Sequence, residues 1–400
     1  MGSKPIDVVV AGHICLDVIP SFGRRKGGLQ DMLVPGKLVD VGPAVTATGG
    51  AVSNTGLALH RLGIRASLMG KIGDDMFGNT ILDLLRGQDR RLSEGMIVSA
   101  GEHSSYSVVI NPPGIDRVFL HCTGANDTFA ADDLNMEEIG RARHFHFGYP
   151  PLMKRMYEDE GEQLAVMFSG AKKSGLTTSL DMAKPDPDSA AGQAAWRRIL
   201  QRALPHVDVF LPSLDEILYM LDRDKYRQLE RDYGAGDIGK GIDGALLSAL
   251  GQELLDMGAA IVAVKLGEFG LYVRTTDDAE RIRAMGRCAP KDALRWTSRE
   301  LLAPCFSVNI AGTTGAGDCT IAGFLAGLVH GLSVEEVITG AVAVGAFNVE
   351  QADATSGIPA WEAVQKRIRG GWSRSAAKPD LPGWGWDGAA GLFIGPYSIS

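Results

Sequence analysis

Five cysteines, Cys15, Cys122, Cys288, Cys305 and Cys319, are too few and too scattered in 400 residues for a disulfide framework. No two stand as C-x-x-C, which removes the usual zinc-knuckle spacing and makes a reducing cytoplasm the expected setting. Long apolar runs are also missing. Residues 319–332 form the most apolar stretch, but they fall short of the ~20 residues of a membrane span and include His330. The first ten residues have a single Lys, and Asp7 interrupts their apolar run, so they match a secretory leader poorly. Basic residues are not in excess: 48 acidic side chains face 40 basic ones, for a net charge of −8. No overall field therefore favours nucleic acid, and any anion must be held by a local site. There is no internal repeat. What is abundant is glycine, at 51 residues against a usual share of ~7%. Such an excess points to tight turns, or to backbone that must come close to a ligand.

Along the chain, short apolar runs alternate with helical patterns. Residues 6–11 (IDVVVA) read as a buried strand ending at Gly12. Residues 54–63 read as a helix stopped by Gly63. A strand in ASLMGKIG and a helix in DDMFGNTILDLLRGQ follow, with Asp74 or Asp75 near the helix start. The alternation resumes at 144–148, 164–174, 177–181, 194–204, 207–211, 213–222, 252–258, 260–264 and 317–331. Repeated β–α units with near-continuous apolar strands predict an α/β fold: a mainly parallel central sheet with helices on both faces. Residues 98–121 instead read as a hairpin turning at Pro112-Pro113-Gly114, a candidate lid or interface. Residues 222–244 are expected as an exposed excursion and 276–304 as a surface flap. The tail, 370–400, is rich in Gly, Pro and Trp and shows no strand or helix periodicity; Trp372, Trp384 and Trp386 suggest that it packs on something. The expected organisation is one core over 1–369 and this tail.

The strongest chemical signal is Gly312-Thr-Thr-Gly-Ala-Gly-Asp318, followed by an apolar helix. Small residues let consecutive N–H groups converge, and the helix start adds its positive dipole end, so the segment is an anion site. It has P-loop spacing with Asp318 in place of the lysine. A carboxylate would repel phosphate unless it faced a proton donor, which suits a general base beside an anion hole. The plainer alternative is an Asp that only caps its helix. Other features read as structural. Gly234 to Gly239 matches G-x-G-x-x-G, but no strand precedes it. His144 and His146 share a strand face without a third or fourth metal ligand. Asp181, at a strand's carboxyl end, fits either a pocket or a cap.

Two further patterns settle the choice. Thr48-Gly-Gly-Ala-Val-Ser-Asn54 precedes the helix stopped by Gly63, KIGDDMFG follows, and TTGAGD closes at Asp318. With SLD181, P-S-L-D-E216 and KLGEFG between them, the chain over about 6–369 resembles the ribokinase-like (PfkB) family of carbohydrate and nucleoside kinases. The resemblance implies ATP-dependent phosphorylation of a sugar hydroxyl. It makes Asp318 the catalytic base, and Gly315, Ala316 and Gly317 the anion hole. Asp17 and Asn54 become sugar contacts, and Gly49 and Gly50 a hinge that lets a lid close. Ser213, Glu216, Lys265 and Gly267 fall on the nucleotide side, with Glu216 organising Mg²⁺ through water. Segments within 14–45 and 98–121 become the lid, through which such kinases often form homodimers.

Departures from the family pattern are Ser213 for Asn, Lys265 for Thr, a bulkier Val52, and Gly312 for an Asp that helps hold a monovalent cation. The last puts K⁺ activation in doubt. A small-molecule sugar is the expected partner, with neither nucleic acid nor membrane. Two rivals remain open: a nucleoside kinase, with Phe22, Tyr106, Phe119 and Phe129 available to clamp a base, and a catalytically weak binding protein.

Overall fold

Val8–Gly12 (VVVAG) is buried at every position, and its side chains alternate between two cores: Val8 and Val10 join one, Val9 and Ala11 the other. Only a strand covered on both faces buries residues this way. A computed structural model describes residues 6–23, 29–112 and 117–398. In it this strand pairs in parallel with Ala66–Met69 on one side and His144–Gly148 on the other. Parallel pairing continues through Thr177–Leu180, Val209–Phe210 and Ile261–Lys265. Four antiparallel strands then complete a ten-stranded sheet: Leu271–Thr275, Glu300–Ala303, Leu392–Ile394 and Gly385–Asp387. Helices Ala51–Arg61, Ala316–His330 and Val334–Val349 bury one face of it. Glu162–Lys173, Trp196–Ala203, Leu214–Leu221 and Gly244–Asp256 bury the other. The predicted α/β architecture is therefore observed.

A second sheet has the order Ala44–Gly49, Cys15–Pro20, Tyr106–Ile110, Val118–Cys122. Cys15–Pro20 and the pair Tyr106–Ile110 and Val118–Cys122 come from the two segments expected to form a lid, while Ala44–Gly49 extends past the expected limit at 45. Tyr106–Ile110 and Val118–Cys122 pair as the expected hairpin, while Pro113 and Gly114 of the expected turn lie outside the described residues. Asp75 caps its helix by accepting from the Gly78 N–H at 2.8 Å, as the sequence suggested.

Three stretches differ from expectation. Residues 222–244 are no loose excursion: Arg223–Tyr233 is a helix capped by Asp222, with Tyr226 and Leu229 buried. Dense charge on its outer face masks two apolar anchors. Residues 276–304 include the buried strand Glu300–Ala303, and Ile282, Met285 and Trp296 are also buried, so this is not a surface flap. The tail supplies two strands of the main sheet. Trp372 stacks on Phe306 at 4.4 Å and Trp386 packs on Phe393 at 4.7 Å, so aromatic contacts rather than alternation hold this edge. The helix read over 252–258 begins earlier, at Gly244, where Asp243 caps it. Among the described residues no helix is long and apolar enough to cross a membrane.

Candidate active site

In an open parallel sheet, ligands bind beyond the carboxyl ends of the strands. Here those ends deliver His13 after Gly12, Tyr149 after Gly148, Asp181 after Leu180, and Ser213 and Glu216 shortly after Phe210. Lys265 ends its own strand and bridges to Ser213 across the sheet. Facing them is the start of helix Ala316–His330, whose N-cap is Gly315 at φ 72°, a left-handed conformation that glycine adopts without steric cost. A Cβ there would also stand 2.9 Å from the Ala354 Cβ. The helix start thus turns its positive dipole end toward the strand ends, with the Ala316 N–H donating to the Thr313 carbonyl at 3.3 Å.

Asp318, three residues into this helix, is buried. Asn54 Nδ2 donates to its Oδ2 at 2.9 Å, and the Tyr149 hydroxyl donates to both carboxylate oxygens at 2.8 and 2.9 Å. Asp318 is therefore not the cap of its own helix. Burial raises its pKa above the ordinary carboxylate value, and Lys265, Asn54 and Tyr149 only partly oppose this. A raised carboxylate pKa is the direction that suits a group taking a proton from an alcohol.

Beside it, Lys265 Nζ donates to Asp181 Oδ1 at 2.5 Å. Burial pulls the Lys265 pKa down, but Asp181, Glu216 and Asp318 more than offset this, and the ammonium stays charged. Asp181 is wholly buried, and its Oδ2 has no partner. Glu216 Oε2 accepts from the Ser213 N–H at 2.5 Å, and the Ser213 hydroxyl accepts from the Glu216 N–H, a reciprocal capping box. Three carboxyls and one ammonium thus share a pocket between the glycine loop and the strand ends. Gly317 faces the ammonium stem: a Cβ there would lie 3.5 Å from Lys265 Cδ.

The lid-side residues come together through Gly49 and Gly50. A Cβ on Gly49 would stand 2.4 Å from Asp17 Oδ2, so only glycine lets that carboxylate lie against the strand. Gly50, at φ 88°, starts the helix that carries Asn54. Arg117, from the lid, donates to Thr313 Oγ1 of the glycine loop at 3.1 Å, so lid and loop touch. Gly267 stands apart, at φ 58° in a short turn past Lys265, with open space where a side chain would begin. At Gly312, a Cβ would come within 3.0 Å of the Gln351 and Ala352 backbone.

His144 and His146 both meet the Ser179 hydroxyl, at 2.7 and 2.8 Å, and burial keeps both neutral, with His144 lowered to about 3. They are core residues, as expected. Of the four aromatics considered for a base clamp, Phe129 is fully buried in the core and Tyr106 packs on Phe77 at 5.3 Å. Tyr149 was missed by sequence reasoning. Its position after strand HFHFG was the available signal; its left-handed backbone, φ 65°, was not readable. Removing its hydroxyl in Tyr149→Phe deletes the one donor, shared between both carboxylate oxygens, that favours the ionised Asp318. A hydrogen bond to a charged group contributes about 1.5–3 kcal/mol, so the acid limb of the kcat–pH profile should move up by about one to two pH units. An unmoved limb would show that Tyr149 does not tune the carboxylate.

A mainly parallel sheet whose strand ends face a glycine-rich helix start, with a buried carboxylate and a lid, is the arrangement of a carbohydrate kinase of ribokinase-like fold. The chain belongs to that class by family: the model of the pfkB family carbohydrate kinases matches residues 6–361. It is 25% identical over 378 residues to probable fructokinase-4 of Arabidopsis thaliana, covering 92% of this chain and 98% of that one. It is likewise 25% identical over 353 residues to the 2-dehydro-3-deoxygluconokinase of Bacillus subtilis, covering 85% and 90%. Among solved structures, the fructokinase with bound ATP from Xylella fastidiosa superposes with a TM-score of 0.65 at 18% identity, covering 91% and 98%. The Arabidopsis thaliana ribokinase complexed with ribose and ATP gives 0.64 at 18%, covering 92% and 99%.

Proposed function

We propose that this sugar kinase transfers the γ-phosphoryl group of ATP to a hydroxyl of a sugar or sugar acid, with Asp318 as the base. The observation that carries this reading is the buried Asp318 carboxylate, held by Asn54 and Tyr149 at the N-terminal end of an anion-binding helix. The hydroxyl gives its proton to Asp318 as its oxygen attacks the phosphorus, and the bond to the ADP oxygen breaks. Backbone N–H groups of Gly315, Ala316 and Gly317 stabilise charge on the transferred group. Lys265, already charged and next to Gly317, neutralises phosphate oxygens from the nucleotide side, where Ser213 and Gly267 also stand. Glu216 and the unpartnered Oδ2 of Asp181 fit Mg²⁺ held through water, and the ion would offset charge on the nucleotide phosphates. No carboxylate stands at Gly312, so no monovalent cation is assigned there.

On the acceptor side, Asp17 and Asn54 orient the sugar, and the second sheet closes over it to exclude water. Leu38, Val45, Phe119 and Leu120 are exposed on and near this lid, which fits a homodimer contact. Gly49→Ala tests the acceptor side. The added methyl displaces the Asp17 carboxylate, so the KM for the acceptor should rise about 10–100-fold while the KM for ATP stays put. Equal changes in both would remove Asp17 from sugar binding.

A further inference from the structure

On the lid, Asp17, Ser107 and His121 stand in register across three adjacent strands. Cys15 lies two residues before Asp17 and so on the same face. His13 reaches this face from the turn after Gly12. Its Nε2 lies 3.3 Å from the His121 Nε2, and the donor atoms of His13, Cys15 and His121 all fall within 4.8 Å of one another. Cys15 Sγ is in turn 3.4 Å from Asp17 Oδ1.

The two Nε2 atoms share one hydrogen bond in the metal-free protein; a metal on both Nε2 atoms replaces it and leaves the His13 ring proton on the buried Nδ1, which has no acceptor there. A tetrahedral zinc ion with Zn–N distances of about 2.0–2.1 Å sets its two nitrogen ligands about 3.3–3.4 Å apart, which is the separation already present. We propose that His13, Cys15 and His121 form a three-ligand zinc site with its fourth position open. Two imidazoles and a thiolate are a borderline-to-soft set that selects Zn²⁺ over Mg²⁺. The second shell fits: with the proton of His121 on Nδ1, that nitrogen donates to the Ser107 Oγ at 3.0 Å and leaves Nε2 free for the metal. Forming the Zn–S bond breaks the S–H bond of Cys15 and releases its proton to solvent.

A second consequence rests on the reading of Asp17 as a sugar contact. Zinc held by Cys15, whose Sγ lies 3.4 Å from Asp17 Oδ1, and tying the lid to His13, competes with the sugar and not with ATP.

The test uses the full chain, reduced and stripped of metal. Zn²⁺ is titrated against a chromophoric chelator, and Co²⁺ is added separately to read the thiolate-to-cobalt charge-transfer band. One tight equivalent with that band is expected, unaffected by excess Mg²⁺. Cys15→Ser and His121→Ala should abolish it, and Ser107→Ala should weaken it about 10–100-fold. Cys122→Ser, on the opposite face of the same strand, should leave it unchanged. His121 is exposed, so its replacement leaves the core intact. Absence of the band, or affinity that survives His121→Ala, overturns the site. Zinc that binds there yet leaves the KM for the acceptor unchanged overturns the competition and the placement of the sugar at Asp17.

Discussion

Asp318→Asn is expected to lower turnover by about 10²–10⁴-fold, the usual contribution of a positioned base, with ATP affinity little changed. The amide keeps the shape of the side chain, and Asn54 and Tyr149 can still pair with it, but it cannot take the proton of the attacking hydroxyl. Thermal stability should not fall. A carboxyl whose folded-state pKa is raised favours the protonated protein; its stabilising effect is present at low pH and lost as pH rises through the folded value. Above the folded value the ionised Asp318 therefore costs stability, and a neutral amide removes that cost. A variant as active as the parent would take Asp318 out of the mechanism. One that is inactive because it is unfolded would show that its interactions are structural.

Lys265→Met should be the most destabilising single change in the pocket. It removes the one ammonium bonded to Asp181 and leaves Asp181, Glu216 and Asp318 without a counter-charge in a buried site. Breaking a buried pair from one side costs about 3–5 kcal/mol, measurable by denaturant titration. The loss should depend on pH in a defined direction. Without Lys265 the Asp181 carboxyl is pushed further up, so the variant recovers stability as the pH falls and Asp181 takes a proton. An unchanged midpoint, or a deficit that grows at low pH, would mean that water already compensates the carboxylates.

Much of the fold was legible because its strands are short, apolar and β-branched, and its helices carry clear caps. IDVVVA and AIVAV fall in interior strands, where both faces demand apolar residues, and TTSLD was read from its β-branched threonines although Thr177, Thr178 and Ser179 are buried polar groups. The tail was illegible for the opposite reason. Gly385–Asp387 and Leu392–Ile394 form an antiparallel edge whose exposed side accepts glycine and tryptophan, so no alternation survives. In Arg223–Tyr233, a helix anchored by only two buried side chains reads as polar chain.

Within the pocket, residues carried by local motifs were found: Asp318 in TTGAGD, Asn54 after the paired glycines, Glu216 in its capping box. Contacts made across the sheet were not. Tyr149 meets Asp318 from 169 positions away, and His13 meets His121 from 108, and neither separation leaves a local pattern.

The most direct test of sugar phosphorylation by Asp318 incubates the protein, and its Asp318→Asn variant, with ATP, Mg²⁺ and a mixed pool of ketoses, aldoses, sugar acids and nucleosides, with products read by mass. The expected product is a sugar or sugar acid heavier by one phosphoryl group, formed with equimolar ADP by the parent and barely by the variant. ATP turnover without a phosphorylated acceptor, or equal product from both proteins, would contradict it.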